Sequence, residues 1–357
     1  MSALKETKLG EITLKNRIVM APMTRSRAIG NIPNDLIAEY YEQRAGAGLI
    51  ITEGTSPSPN GLGYSRIPGI FSDEQVNGWK TVTDRVHSKG SKIFVQLMHT
   101  GRISHESNLP EGAKVLAPSA VKAAGQIWSD SLQMVDHSEP NAMTAEELEI
   151  TKNEFISAAK NAINAGFDGI ELHAANGYLL EQFLSPISNV RTDNYGGSIE
   201  NRAKFVLEVV DGAIAAIGKD KVGIRVSPYG VASDMPHYDE IDQTYSYLST
   251  ELGKRGMAYI HLVDHSAMGA PAVPTEIKQT IKNNFGGTVI LAGGYDLDSA
   301  NATLAGEIAN LIAIGRPFIN NPDLVQRFEK GLPLSGQLDF NTFYTPGSIG
   351  YTDYPTA

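Results

Sequence analysis

The sequence predicts an α/β fold: a single (β/α)8 TIM barrel over residues 1–357, with an N-terminal β-hairpin cap and a long loop insertion after strand 3. Three observations lead there. Eight short apolar, β-branched runs recur, each followed by turn residues and then by a helical pattern. Eight parallel strands are the number that closes into a barrel. With 41 % hydrophobic residues and no break in the alternation, the chain can bury one large core, which favours the closed barrel over a doubly wound open sheet.

In chain order, strands are expected at residues 17–20, 49–52, 92–97, 168–172, 221–226, 259–263, 288–291 and 311–314. Helices are expected at 35–44, 73–88, 145–164, 202–216, 239–254, 275–283, 298–305 and 323–330. Residues 4–14 read as a hairpin centred on Gly10, suited to covering the bottom of the barrel. Thr144 followed by Glu147 is a capping-box signature at the start of the third helix. Residues 100–143, rich in Pro, Gly, Ser and Ala, lie between the third strand and that helix. A connection that long is commonly a lid or a pocket rim.

Composition removes several functions. The formal charge is 30 − 40 = −10, against the basic face that nucleic-acid binding needs. Zero Cys excludes thiolate nucleophiles, thiolate zinc sites, Fe–S clusters and disulfides. No apolar run approaches the roughly 20 residues of a membrane span, and the first residues lack a signal-peptide pattern. The expectation is a cytoplasmic enzyme, monomeric or weakly dimeric, that acts on a small molecule without metal, membrane or nucleic acid.

Barrel active sites lie at the carboxyl ends of the strands, so polar residues there carry the most information. Alternation along 221–226 puts Gly223, Arg225 and Ser227 on the face opposite Val222, Ile224 and Val226. Arg225 therefore points into the barrel, where an unpaired charge is costly. Its partner is either an internal carboxylate, Glu53 or Glu171, or an anionic or electron-rich ligand over the mouth. Gly293-Gly294 after strand seven and Gly315-Arg316 after strand eight occupy the customary phosphate position, where backbone N–H groups and a guanidinium can meet an anion.

His173, Asn176 and Tyr178 follow strand four. A spacing of three would bring His173 and Asn176 onto one face of a helical turn, as two donors to a carbonyl oxygen that gains charge. A phenol of ordinary pKa near 10 keeps its proton at neutral pH and can give it. The plainer alternative is a core histidine beside a helix cap. His261, Asp264 and His265 form no known metal motif, and no nucleophile elbow, P-loop or dinucleotide fingerprint is present. Glu53 and Glu171 are the only pair that a glycosidase reading could use, and alternation places both deep inside.

The motifs NRIVMAPMTRSRA (16–28), VQLMHTGRIS (95–104), HAANGYLLEQFLSPISNVRTDNYGGSIENR (173–202), IRVSP (224–228), GRPFINNPDL (315–324) and GYTDYP (350–355) resemble the old yellow enzyme family over essentially the whole chain. That resemblance implies an FMN-dependent ene-reductase reduced by NADPH or NADH, with FMN held noncovalently across the barrel mouth. It implies Pro22, Met23, Thr24 and Gly54 along the isoalloxazine, Gln96 on the pyrimidine edge and Arg225 near N1 and O2. Gly293, Gly294, Gly315 and Arg316 would hold the phosphate. His173 and Asn176 would bind the oxygen of an enone, enal or nitro substrate, and Tyr178 would protonate it. Tyr64, Met98 and Tyr351 are assigned to the substrate side, Met98 where relatives often carry Trp. A flavin carrier without catalysis would bind FMN equally well but would not need His173, Asn176 and Tyr178 together.

Overall fold

The structure is a computed structural model describing residues 2–336 and 338–357. Its elements run β1 (Thr7–Leu9), β2 (Ile12–Leu14), β3 (Ile18–Met20), α1 (Asp35–Gln43), β4 (Leu49–Thr55), α2 (Asp73–Ser88) and β5 (Lys92–Leu97). The long insertion follows with β6 (Leu116–Ala117), β7 (Gln126–Ser129), β8 (Gln133–Asp136) and β9 (Asn141–Ala142). Then come α3 (Ala145–Asn164), β10 (Gly169–Ala174), α4 (Leu179–Leu184), α5 (Ile199–Ile217), β11 (Val222–Val226), α6 (Ile241–Arg255) and β12 (Tyr259–Val263). The chain ends with α7 (Thr275–Phe285), β13 (Thr288–Ala292), α8 (Leu297–Ala305), β14 (Leu311–Ile314), α9 (Pro317–Asn320) and α10 (Leu324–Lys330).

Eight parallel strands close in the order β3-β4-β5-β10-β11-β12-β13-β14 and back to β3, as the alternation predicts. The pleat sorts their side chains into two layers. Ile18, Met20, Ile50, Ile93, Val95, Val289, Leu291, Ile312 and Ile314 pack outward against the helices. Val19, Leu49, Ile51, Phe94, Ile290, Leu311 and Ala313 point inward and meet Leu9 and Leu14 of the β1–β2 hairpin, which plugs the bottom. Strands buried on both faces are why their sequences read as continuous apolar runs.

Thr144 caps α3 through the Glu147 N–H at 3.2 Å, and Glu147 returns a bond to the Thr144 N–H at 2.9 Å. α4 was not expected. All six of its residues are buried, so it carries no amphipathic stripe to reveal it. One local expectation is corrected: residues between His173 and Tyr178 form no helical turn. Asn176 (φ 59°) and Gly177 (φ 79°) are left-handed, and the helix starts only at Leu179.

Candidate active site

Several polar side chains from the strands gather inside the barrel toward its mouth. Strand register places Glu171 beside Gln96, His173 beside Arg225, and Arg225 beside His261. Beneath Arg225, Gly223 leaves room for the Tyr259 ring, whose nearest atom would stand 2.2 Å from a Cβ there. Glu171 is fully buried and takes hydrogen bonds at 2.8 Å each from Gln96 Nε2 and His261 Nδ1. Glu53 is also fully buried, accepting from the Arg25 N–H at 3.2 Å and the Tyr41 hydroxyl at 3.4 Å. Burial pushes its carboxyl up to about 7, partly offset by that Arg25 N–H. Neither acid lines the cavity above, and neither forms a salt bridge with Arg225. The glycosidase pair and the internal ion pair considered for Arg225 are therefore both overturned.

Arg225 is 6 % exposed, and its Nε has no hydrogen-bond partner. Burial draws its pKa down while the more distant Glu171 opposes that. A buried guanidinium with an unmatched donor is an arrangement that needs an anionic or electron-rich guest.

Above it lies a cavity of about 1090 Å³. Of the residues predicted for the flavin and substrate, Pro22, Thr24, Gly54, Gln96 and Arg225 line its floor and Tyr64, Met98, His173, Asn176 and Tyr178 complete it. Gly54 is required by its neighbour, since a Cβ there would stand 2.4 Å from Met98 Sδ. Gly293 and Gly294 line a smaller cavity of about 260 Å³ with Asp264, Ser266 and Lys278. Gly315 sits under Met23, whose Sδ would be 3.5 Å from a Cβ at that glycine. Arg316 is exposed and holds its guanidinium 5.5 Å from the centre of the Phe340 ring, which also lines the main cavity. Met23, Gly315 and Arg316 thus flank the main cavity without lining it.

His173 is buried beside the Arg225 guanidinium. Desolvation, then Arg225, hold its pKa well below the ordinary value, so the imidazole is neutral. Its Nδ1 is unpaired. The Tyr178 ring meets His173 edge-on at 4.9 Å, and burial raises the phenol pKa, keeping it protonated. The Asn176 N–H donates to Ser227 Oγ at 2.8 Å, and its Oδ1 lies 2.8 Å from His265 Nε2. A neutral imidazole, a carboxamide and a protonated phenol therefore line one space beside a fixed cation.

Tyr351 is a correction. It lies in the core, stacked on Tyr40 at 4.1 Å and flanked by the Arg25 and Arg27 guanidinium groups, away from the cavity. The same two arginines explain the roof. Arg25 donates to the carbonyls of Phe343 and Gly350, and Arg27 to those of Thr342 and Ile349. These bonds tie the segment 340–351 over the mouth, where Phe340, Tyr344 and Pro346 join the lining. From the insertion, Ile103, Ile127, Trp128, Met134 and His137 complete the walls. Gln126–Ser129 and Gln133–Asp136 each place two apolar residues between polar ones and lack period-2 alternation, so only the short Asp130–Leu132 connection between them hinted at a hairpin in that part.

An α/β barrel whose mouth presents an unmatched guanidinium, glycine-lined hollows and a group of polar side chains around one cavity suits a flavin cofactor. The comparisons agree. The NADH:flavin oxidoreductase / NADH oxidase family matches residues 5–335, and the chain belongs to that family. It is 42 % identical over 354 residues to 12-oxophytodienoate reductase 1 of Oryza sativa subsp. japonica, covering 98 % of this chain and 91 % of that one. Morphinone reductase superposes with a TM-score of 0.96 at 42 % identity, covering 100 % of this chain and 96 % of the other. The old yellow enzyme homologue of Zymomonas mobilis superposes with a TM-score of 0.95 at 36 % identity, covering 99 % of each chain. This chain is an FMN-dependent, NAD(P)H-driven oxidoreductase of old yellow enzyme type, an ene-reductase of activated C=C bonds. Among the described residues no helix is long and apolar enough to cross a membrane.

Proposed function

We propose that this chain reduces α,β-unsaturated carbonyl or nitro compounds with His173 and Asn176 binding the substrate oxygen and Tyr178 supplying the proton. The observation that carries this is the convergence of those three groups, each in the protonation state its task needs, on the cavity that holds Arg225. FMN, when bound, supplies the two-electron hydride chemistry. Pro22, Thr24 and Gly54, with Met23 behind them, would support its ring, Gln96 would meet the pyrimidine edge, and Gly293, Gly294, Gly315 and Arg316 would hold the phosphate. Arg225, whose Nε has no protein acceptor, would stabilise negative charge on a ring edge placed beside it.

His173 and Asn176 draw charge onto the substrate oxygen and so make the β-carbon electrophilic. Tyr178 protonates the α-carbon, and Phe340, Tyr344 and Trp128 line the cavity around the substrate. Tyr64 and Met98 contact the rest of the substrate. The nicotinamide donor, NADPH or NADH, uses the same space. Morphinone reductase has been solved with tetrahydroNAD, which supports a nicotinamide entering such a cavity. The enzyme acts in the cytoplasm, as a monomer or weak homodimer, without nucleic acid or membrane.

The test is spectroscopic. Purified protein should show the visible flavin band, lose it on anaerobic addition of NADPH or NADH, and regain it when an enone is added. A preparation that stays colourless after incubation with FMN would refute the reading, as would reduced enzyme that no enone reoxidises.

A further inference from the structure

Asn176 poses a problem that its place in the cavity does not solve. The two ends of a carboxamide have nearly the same shape, and rotation by about half a turn exchanges an N–H donor for a carbonyl acceptor. Only the donor end can hold a substrate oxygen. The backbone of Asn176 is already fixed. Its N–H donates to Ser227 Oγ at 2.8 Å, and Ser227 Oγ donates to Glu181 Oε1 at 2.6 Å. The next residue, Gly177, donates its N–H to Glu181 Oε2 at 2.6 Å, and Tyr245 donates to Oε1 at 2.9 Å. Nothing in that set touches the carboxamide. Its one protein hydrogen-bond partner among the described residues is His265, whose Nε2 lies 2.8 Å from Oδ1.

We infer that His265 is a positioning residue: by donating from Nε2 to Asn176 Oδ1, it turns both amide hydrogens of Asn176 toward the substrate oxygen. The inference rests on the role proposed above for Asn176. His265 lies just past the end of β12, on a different strand-to-helix connection from Asn176, so two neighbouring segments of the barrel mouth jointly set one donor. An Nε2–H donor satisfies Oδ1 whether the imidazole is neutral or charged. Burial and the nearby Arg225 draw its pKa down, with Asp264 opposing, so it stays neutral.

The neighbours of His265 are engaged elsewhere. Among the described residues no group of three metal-binding side chains occurs, and Asp264 is occupied by Lys278 at 2.7 Å and the Ser266 N–H at 2.9 Å.

The experiment is a double-mutant cycle on the flavin-loaded enzyme with cyclohex-2-enone and NADH. His265→Leu should raise KM for the enone about tenfold, the scale of one hydrogen bond to the bound substrate oxygen, with a smaller change in kcat. His265→Gln, which keeps a side-chain N–H, should recover most of that loss. Asn176→Ala should raise KM at least as much, and adding His265→Leu to it should produce no further loss. Flavin content and melting temperature identify any variant that merely misfolds. If His265→Leu binds the enone as wild type does, or if its effect multiplies with that of Asn176→Ala, the inference is overturned while the role of Asn176 survives. If Asn176→Ala itself leaves KM unchanged, the donor assignment falls and the inference falls with it.

Discussion

The hydroxyl oxygens of Tyr64 and Tyr178 lie 3.0 Å apart, with the two rings edge to face at 89°. Tyr178 is the proposed acid, and burial alone would make it a poor one. The Tyr64 hydroxyl acts in the opposite direction, lowering the Tyr178 pKa by hydrogen bonding, as Arg225 does by its charge. Tyr178→Phe should therefore slow enone reduction by about 10²–10⁴-fold while flavin reduction by NADH continues. Tyr64→Phe should slow the same half-reaction only about tenfold or less, by weakening the acid without removing it. Anaerobic stopped-flow separates the two half-reactions, and an unchanged enone rate in Tyr178→Phe would sink the assignment.

Arg225→Gln removes the buried charge proposed to face the flavin edge and should disfavour the reduced, more negative flavin. The midpoint potential should fall, and each tenfold shift in a two-electron equilibrium is about 30 mV. Potentiometric titration against a reference dye measures it directly. A potential equal to that of wild type would show that Arg225 does not face the electron-accepting edge.

Gly54→Ala should push Met98 into the cavity, because the new methyl cannot coexist with Sδ at 2.4 Å. Reduced flavin occupancy and a raised enone KM are expected. Met98→Ala in the same chain should restore both. Failure of the second change to rescue the first would mean that the clash is relieved elsewhere.

Two buried acids set a pH dependence of stability. Glu53 and Glu181 are both raised from 4.5 to about 7 by desolvation, and neither has a cationic hydrogen-bond partner. A carboxyl whose folded pKa exceeds its unfolded value holds its proton more tightly when folded. Its stabilising contribution is thus greatest below about 4.5 and declines as pH rises to about 7. Glu53→Gln cannot ionise, so its melting temperature should drop less than wild type between pH 5 and 8, by a few degrees. Parallel melting curves for the two proteins would refute this.

Tyr351 tests the corrected placement. Its hydroxyl has no hydrogen-bond partner, so Tyr351→Phe should leave stability and enone kinetics near wild type. Tyr351→Ala removes a ring stacked between Tyr40 and two guanidinium groups and should cost about 3–5 kcal/mol in denaturant unfolding. A large KM effect in Tyr351→Phe would return that residue to the substrate side.

The barrel was legible because strands covered on both faces betray themselves as short apolar runs, and inward-facing polar residues such as Arg225 stand out against them. The cavity floor was legible for the same reason: Gln96, His173 and Arg225 sit at strand ends, where position along the chain sets position in space. Tyr351 was misplaced because a segment with no periodicity travels wherever Arg25 and Arg27 hold it, and those bonds join residues some 320 positions apart. The helical turn expected at His173–Asn176 failed for a local reason. Spacing cannot reveal that Asn176 takes a left-handed φ, which depends on Ser227 and Glu181 from elsewhere in the chain.

His173 and Arg225 are register partners on adjacent strands, so their separation is inherited from the spacing of the sheet, about 4.8 Å from strand to strand. Insertions or deletions in the surrounding loops leave that ruler untouched. Diversification toward new substrates is then channelled into the walls and ceiling, whose segments can be exchanged without recalibrating the spacing between the His173 imidazole and the Arg225 guanidinium beneath them.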